Sequence, residues 1–142
     1  MQKKQENEYA EMLRSANLKA TPGRLALLKA LGAAKEPLGI PALRKKLGAK
    51  EQMDTVTIYR ALEALRTAGL IRLADLRHGH QDYELARSGE HHHHLVCEGC
   101  GVLEAIPCPV PGVEGKVPRS AKGFARLSDH AFELFGTCNA CA

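Results

Sequence analysis

Tryptophan is absent from these 142 residues, and there are only three phenylalanines and three tyrosines. No apolar run approaches the roughly 18–20 residues that span a bilayer, which argues against a membrane partner. The opening Met1-Gln-Lys-Lys-Gln-Glu-Asn-Glu8 offers no hydrophobic stretch of the signal-peptide kind, so the expected location is the cytoplasm. Also missing are a nucleophile–base pair, a phosphate-binding glycine loop and a His-Glu-x-x-His element, and the expectation is a protein that is not an enzyme. Neither cysteine nor histidine occurs before residue 78; all five Cys and all seven His come after residue 77. With 44% hydrophobic and 25% charged residues, the remaining composition is that of an ordinary folded domain.

Charge is divided as unevenly as the ligand-type residues. Residues 1–90 carry 16 Lys and Arg against 11 Asp and Glu, whereas residues 91–142 carry 4 against 5. A basic first part can attract a phosphate backbone, although a modest excess is also common on solvated surfaces.

Tyr9, Met12, Leu13 and Ala16 follow helical spacing and predict a first helix. Thr21-Pro22 is a start signal, a hydroxyl cap followed by a proline whose missing N–H costs nothing there, and predicts a helix over 22–31 stopped by Gly32. Lys35 to Gly39 reads as a turn. A short third helix follows, with Ile40, Leu43 and Leu47 on one face and Gly48 at its end. The fourth opens at Asp54 or Thr55, turns Ile58, Ala61, Leu62 and Leu65 inward and leaves Thr57, Tyr59, Arg60 and Glu63 outward. The period then changes to two in Leu70–Ala74 and Asp82–Leu85, which predicts a hairpin. Helices followed by a two-stranded wing describe a winged helix-turn-helix, whose last helix enters the major groove; a plain core helix with a wet outer face fits the same pattern.

After a short linker comes His91-His-His-His-Leu-Val-Cys97, then a turn with Cys100 and a second strand, Val102–Ile106. A prolyl segment leads to a weak helical candidate near 118–123 and a last strand at 131–135, before Cys138 and Cys141. Cys97-x-x-Cys100 and Cys138-x-x-Cys141 have the spacing of two zinc knuckles, and four thiolates can close a tetrahedron around Zn2+. A redox dithiol would need only one such pair, next to a βαβ unit. In an extended backbone His91 and His93 face one way and His92 and His94 the other, so the run can seed two metal sites. Glu84, Glu104, Glu114 and His130 are candidate partners, His78 and His80 flank Gly79 in the hairpin, and Cys108 fits neither cysteine pair.

Four segments together resemble the ferric uptake regulator (Fur) family of metal-dependent repressors over nearly the whole chain. They are Leu18-Lys-Ala-Thr-Pro-Gly-Arg24; Thr55-Val-Thr-Ile-Tyr-Arg60 with Leu62 and Ala68-Gly-Leu70; His91 through Gly101; and Phe135-Gly-Thr-Cys138-Asn-Ala-Cys141. The resemblance implies an α+β chain, with a winged-helix DNA-binding domain over 1–86 and a small α/β dimerisation and metal-binding domain over 87–142. It implies a homodimer on a double-stranded, palindromic operator. Tyr59 and Arg60 match the recognition-helix pair, with Thr57 on the same face, and Arg24 matches a backbone contact. Cys97, Cys100, Cys138 and Cys141 match structural zinc ligands. Glu84, His92 and His94, with Glu104, match a hinge site for a regulatory ion (Zn2+, Fe2+ or Mn2+), while His91, His93, His130 and Glu114 match a second site in the dimerisation domain.

The sequence departs from that pattern in three places. Pro37 stands where iron- and peroxide-sensing members carry a hinge histidine, so His78, His80 or Glu104 would have to replace it. Ala86 and Arg87 stand where zinc-sensing members carry a cysteine. Pro109, Pro111, Gly112, Gly115 and Pro118 interrupt the dimerisation helix, and each interior proline costs about 3 kcal/mol, so a short or displaced helix is expected. A metal store or thiol-redox protein without DNA function, and a peroxide-sensing repressor of the same family, are the alternatives.

Overall fold

The computed structural model describes residues 2–49, 53–87, 91–113 and 115–142. The chain divides into two compact units, Met1–Ser88 and Gly89–Ala142.

The first unit is built from four helices and a small sheet: α1 (Gln2–Ser15), α2 (Pro22–Ala33), β1 (Leu38–Gly39), α3 (Ile40–Leu47), α4 (Thr55–Thr67), β2 (Ile71–Ala74) and β3 (Asp82–Leu85). Thr21 caps α2, its hydroxyl accepting from the Arg24 N–H at 3.4 Å, and Pro22 occupies the first turn. Asp54 rather than Thr55 caps α4, its carboxylate accepting from the Thr57 N–H at 2.6 Å. That bond holds the Asp54 carboxyl below the usual aspartate range.

Leu13, Leu27, Leu28, Leu31, Leu43, Ile58, Leu62, Leu65, Ile71 and Tyr83 interlock as one core. It is aliphatic apart from Tyr83, in keeping with the scarcity of aromatics. Leu62 is fully buried within it. Leu62→Ala is therefore expected to destabilise this unit by about 2–5 kcal/mol, read as a lower midpoint in a urea melt followed by helical circular dichroism.

The structure departs from the sequence pattern at two places in this unit. Gly32 does not end α2, which runs through it to Ala33; a Cβ at residue 32 would run into the Tyr9 hydroxyl of α1, so this glycine serves close helix packing. Leu38 and Gly39 are not merely turn residues but pair with Tyr83 and Asp82, which widens the hairpin into a three-stranded antiparallel wing of order β1-β3-β2.

The second unit is a sheet of β4 (His92–Cys97), β5 (Leu103–Pro107) and β6 (Leu134–Gly136) in the order β5-β4-β6. β4 is antiparallel to β5 and parallel to β6. No helix occurs among its described residues, and 118–123, expected as weakly helical, forms turns. The prolines and glycines that interrupt 109–118 supply the reason, since they withdraw N–H donors and favour turn conformations. Among the described residues no helix is long and apolar enough to cross a membrane.

Candidate functional site

On α4 the inner residues Ile58, Leu62 and Leu65 are buried, and the outer face is left to Val56, Thr57, Tyr59 and Arg60. Tyr59 is 46% exposed and Val56 57%, although both could have been turned into an aliphatic core. Such a face offers an apolar group that can meet a thymine methyl, a phenol that can reach a phosphate and a guanidinium that can fork onto guanine. Arg44 at the end of α3 donates to the Thr55 hydroxyl at 3.0 Å, tying the basic last turn of α3 to the start of α4. Arg24 is half-buried and donates to the Lys19 carbonyl at 3.0 Å, which holds it near the entry to α2.

The four sulfurs of Cys97, Cys100, Cys138 and Cys141 all lie within 4.8 Å of one another. Two short turns bring them there. Gly101 adopts φ +76° and returns its N–H to the Cys97 carbonyl at 2.9 Å, and the Cys141 N–H returns to the Cys138 carbonyl at 3.0 Å. Parallel pairing of Cys97 with Gly136 then sets one turn beside the other. The Cys138 N–H donates to the Cys97 sulfur at 3.3 Å, and backbone donors from Cys138 and Cys100 bring the Cys97 thiol down to about 6. Side-chain hydrogen bonding by Cys138, Cys100 and Cys97 drives the Cys141 thiol up to about 12. A shared cation relieves that competition by taking all four as thiolates, so the set fits a tetrahedral zinc site with no open position.

The histidine run is divided by strand parity. His91 and His93 converge with His130, with Nε2 to Nε2 distances of 2.8, 2.9 and 3.1 Å. His93 is buried, stacks on Phe132 with ring centroids 3.9 Å apart, and donates its Nδ1 proton to the Phe132 carbonyl at 2.9 Å. Burial lowers its pKa below the usual histidine range, which keeps the ring neutral and ligand-competent. Cys108, unassigned in the sequence, lies with its sulfur 3.2 Å from His130 Nε2.

His92 and His94 take the other face, their ring centroids 5.1 Å apart. His94 is buried, and Glu133 holds it twice: one carboxylate oxygen accepts from the His94 backbone N–H at 2.8 Å and lies 3.1 Å from Nδ1. Nε2 is thereby left as the ligand atom. Glu133 was missed from sequence; the available signal was a lone acid in the apolar strand 131–135.

Glu104 and His80 lie outside these two histidine sets. Glu104 is exposed and pairs across from Leu95, so it points away from the His92/His94 face; the residue opposite His94 is Ala105. A one-residue offset in a strand reverses the face, which removes Glu104 from that ligand set. His80, expected to make up for Pro37, lies 3.5 Å from Asp82, which also pairs with His78 at 2.7 Å. Asp82 is buried, and desolvation raises its carboxyl pKa against the opposing pull of the two histidines. Glu84 is half-buried on β3. Glu114 lies outside the described residues.

A winged helix with an exposed outer face on α4, on one chain with a four-cysteine zinc-type cluster and paired histidines, is the plan of a metal-binding, DNA-binding transcription regulator. The pattern described as Ferric uptake regulator family matches residues 15–135. The Transcriptional regulator FurA of Mycobacterium tuberculosis is 34% identical over 139 residues, covering 95% of this chain and 90% of that protein. The fold is shared with solved structures, among them two ferric uptake regulators. The ferric uptake regulator of Francisella tularensis with iron has TM-score 0.64 and 28% identity, over 87% of this chain and 94% of that one. That of Pseudomonas aeruginosa with manganese has TM-score 0.67 and 26% identity, over 92% and 98%. The chain belongs to the ferric uptake regulator family, whose members are metal-responsive transcriptional regulators rather than enzymes.

Proposed function

We propose that this chain is a cytoplasmic, homodimeric repressor of metal-homeostasis genes that reads a palindromic operator with Thr57, Tyr59 and Arg60 of α4, while Arg24 grips the phosphate backbone. Zinc in the four-cysteine cluster staples the second unit. Glu84, His92 and His94 hold a regulatory divalent ion, Zn2+, Fe2+ or Mn2+, and His91, His93 and His130 hold another. Because Glu84 belongs to the wing and the two histidines to β4, the regulatory set is complete in only one arrangement of the chain. An ion that binds that arrangement better raises its population, and operator affinity rises with it. The observation that carries this reading is the division of the His91–His94 run into two ligand faces, with Glu133 aiming His94.

Selection from random-sequence DNA duplexes in the presence of metal tests it. The expected product is an inverted repeat with half-sites about one helical turn, roughly 34 Å, apart. Failure to enrich any sequence, or enrichment of a single half-site, contradicts it. Replacing Glu133 by Gln should leave the fold intact and weaken the regulatory ion by about 10–100-fold, the usual cost of losing an outer partner of a ligand histidine. Metal titration followed by operator affinity measures that change, and an unaltered titration removes Glu133 from the site.

A further inference from the structure

We propose that Cys108 is the fourth ligand of the inner histidine cluster, giving a closed site of three imidazoles and one thiolate that is selective for borderline-soft ions such as Zn2+ and Co2+. This rests on the proposed reading that His91, His93 and His130 bind a metal, and it replaces the acid expected at Glu114 with sulfur.

The ligand atoms His91 Nε2, His93 Nε2, His130 Nε2 and Cys108 Sγ all lie within 4.8 Å of one another. Tetrahedral zinc, with bonds of about 2.0 Å to nitrogen and 2.3 Å to sulfur, sets ligand atoms roughly 3.3–3.6 Å apart. Nitrogens at 2.8–3.1 Å and the sulfur at 3.2 Å from His130 Nε2 need to spread by only a few tenths of an ångström. The donor chemistry points the same way. With its proton on Nδ1, directed at the Phe132 carbonyl, His93 presents a lone pair at Nε2, and two further imidazole nitrogens converge on it. A cation satisfies all three lone pairs together.

Cys108 has no disulfide partner. Its position follows from the strand before it: β5 ends at Pro107, whose pairing with His92 stops the ladder, and the next residue is free to turn toward His130. On binding, the thiol gives its proton to solvent and the sulfur bonds the ion as thiolate, so uptake releases one proton at this residue. Thiolate among the ligands disfavours Mn2+, which prefers oxygen donors. With four protein ligands and no open position, this cluster is a standing site, and the exchangeable ion belongs to the His92/His94 face.

Cobalt spectroscopy separates the ligands. Protein with zinc in the four-cysteine cluster is titrated with Co2+, and ultraviolet–visible spectra are recorded for wild type, Cys108→Ser and His130→Ala, with zinc content checked before and after. Wild type should develop intense tetrahedral visible bands together with a near-ultraviolet sulfur-to-cobalt charge-transfer band. Cys108→Ser should lose the charge-transfer band and bind at least about tenfold more weakly, while His130→Ala should lose both signals. The set Glu84, His92 and His94 contains no sulfur, so it cannot produce that band. A charge-transfer band that survives in Cys108→Ser, or visible bands in wild type without one, overturns the Cys108 assignment and leaves a histidine site standing. Cobalt uptake that His130→Ala does not change overturns the inner site itself.

Discussion

Arg60→Ala should reduce operator binding to the level of random DNA while leaving metal content and thermal stability unchanged. Arg60 is exposed on the outer face of α4, one residue after Tyr59, and the helix is held from its other side by Ile58, Leu62 and Leu65. Removing its side chain therefore opens no cavity. A bidentate arginine–base contact contributes about 1–3 kcal/mol of discrimination, and a twofold dimer makes it twice, for a loss of about 2–6 kcal/mol. Specific and non-specific binding typically differ by about 4–10 kcal/mol, so one substitution can consume most of the difference. Fluorescence anisotropy on the selected duplex and a scrambled one measures it. Arg24→Ala serves as contrast: a phosphate contact should weaken both duplexes alike and flatten the salt dependence. Unchanged discrimination in Arg60→Ala would remove α4 as the reading element.

Cys97→Ser should release the structural zinc and unfold the second unit while the first stays helical. The reason lies in where apolar surface is buried. The core cluster belongs entirely to the first unit, and among the described residues of the second only Val96 and Cys97 are buried hydrophobics, beside buried His93 and His94. Three short strands with so little apolar burial lack the usual driving force for folding. Zinc binding to sites of this kind contributes about 10–16 kcal/mol at neutral pH, far more than those side chains can. Loss of zinc by elemental analysis should accompany new proteolytic cleavage after residue 90, with far-ultraviolet helical signal retained. A variant that loses zinc yet protects its second unit from protease would show that other contacts hold this sheet.

The parts legible in the sequence were those with a repeating period or a fixed spacing. Four inward residues per turn pair defined α4, period two defined β2 and β3, and alternation alone sorted His91 and His93 from His92 and His94. The cysteine knuckles were legible because Cys-x-x-Cys is a local turn. What escaped depends on pairing between distant segments. A strand as short as Leu38–Gly39 shows no period and exists only because β3 offers it a partner. Glu104 was one residue out of phase, and nothing but the register with β4 reveals that Ala105 faces His94. Glu133 and Cys108 join the histidines across 39 and 22 residues of chain, separations at which sequence spacing carries no geometric information. Gly32 looked like a stop because glycine often ends helices; the Tyr9 hydroxyl against it is a tertiary fact.

Under the proposed function, an exchangeable ion at Glu84, His92 and His94 governs DNA affinity. Protein dialysed against chelator until only the tightly held zinc remains, then titrated with Zn2+, Fe2+ or Mn2+ on the selected duplex, tests it most directly. At least one ion should raise affinity by tenfold or more, about 1.4 kcal/mol, and His94→Ala should abolish the response without altering the metal-free affinity. Equal affinity with and without every ion, or a full response in His94→Ala, would contradict the account.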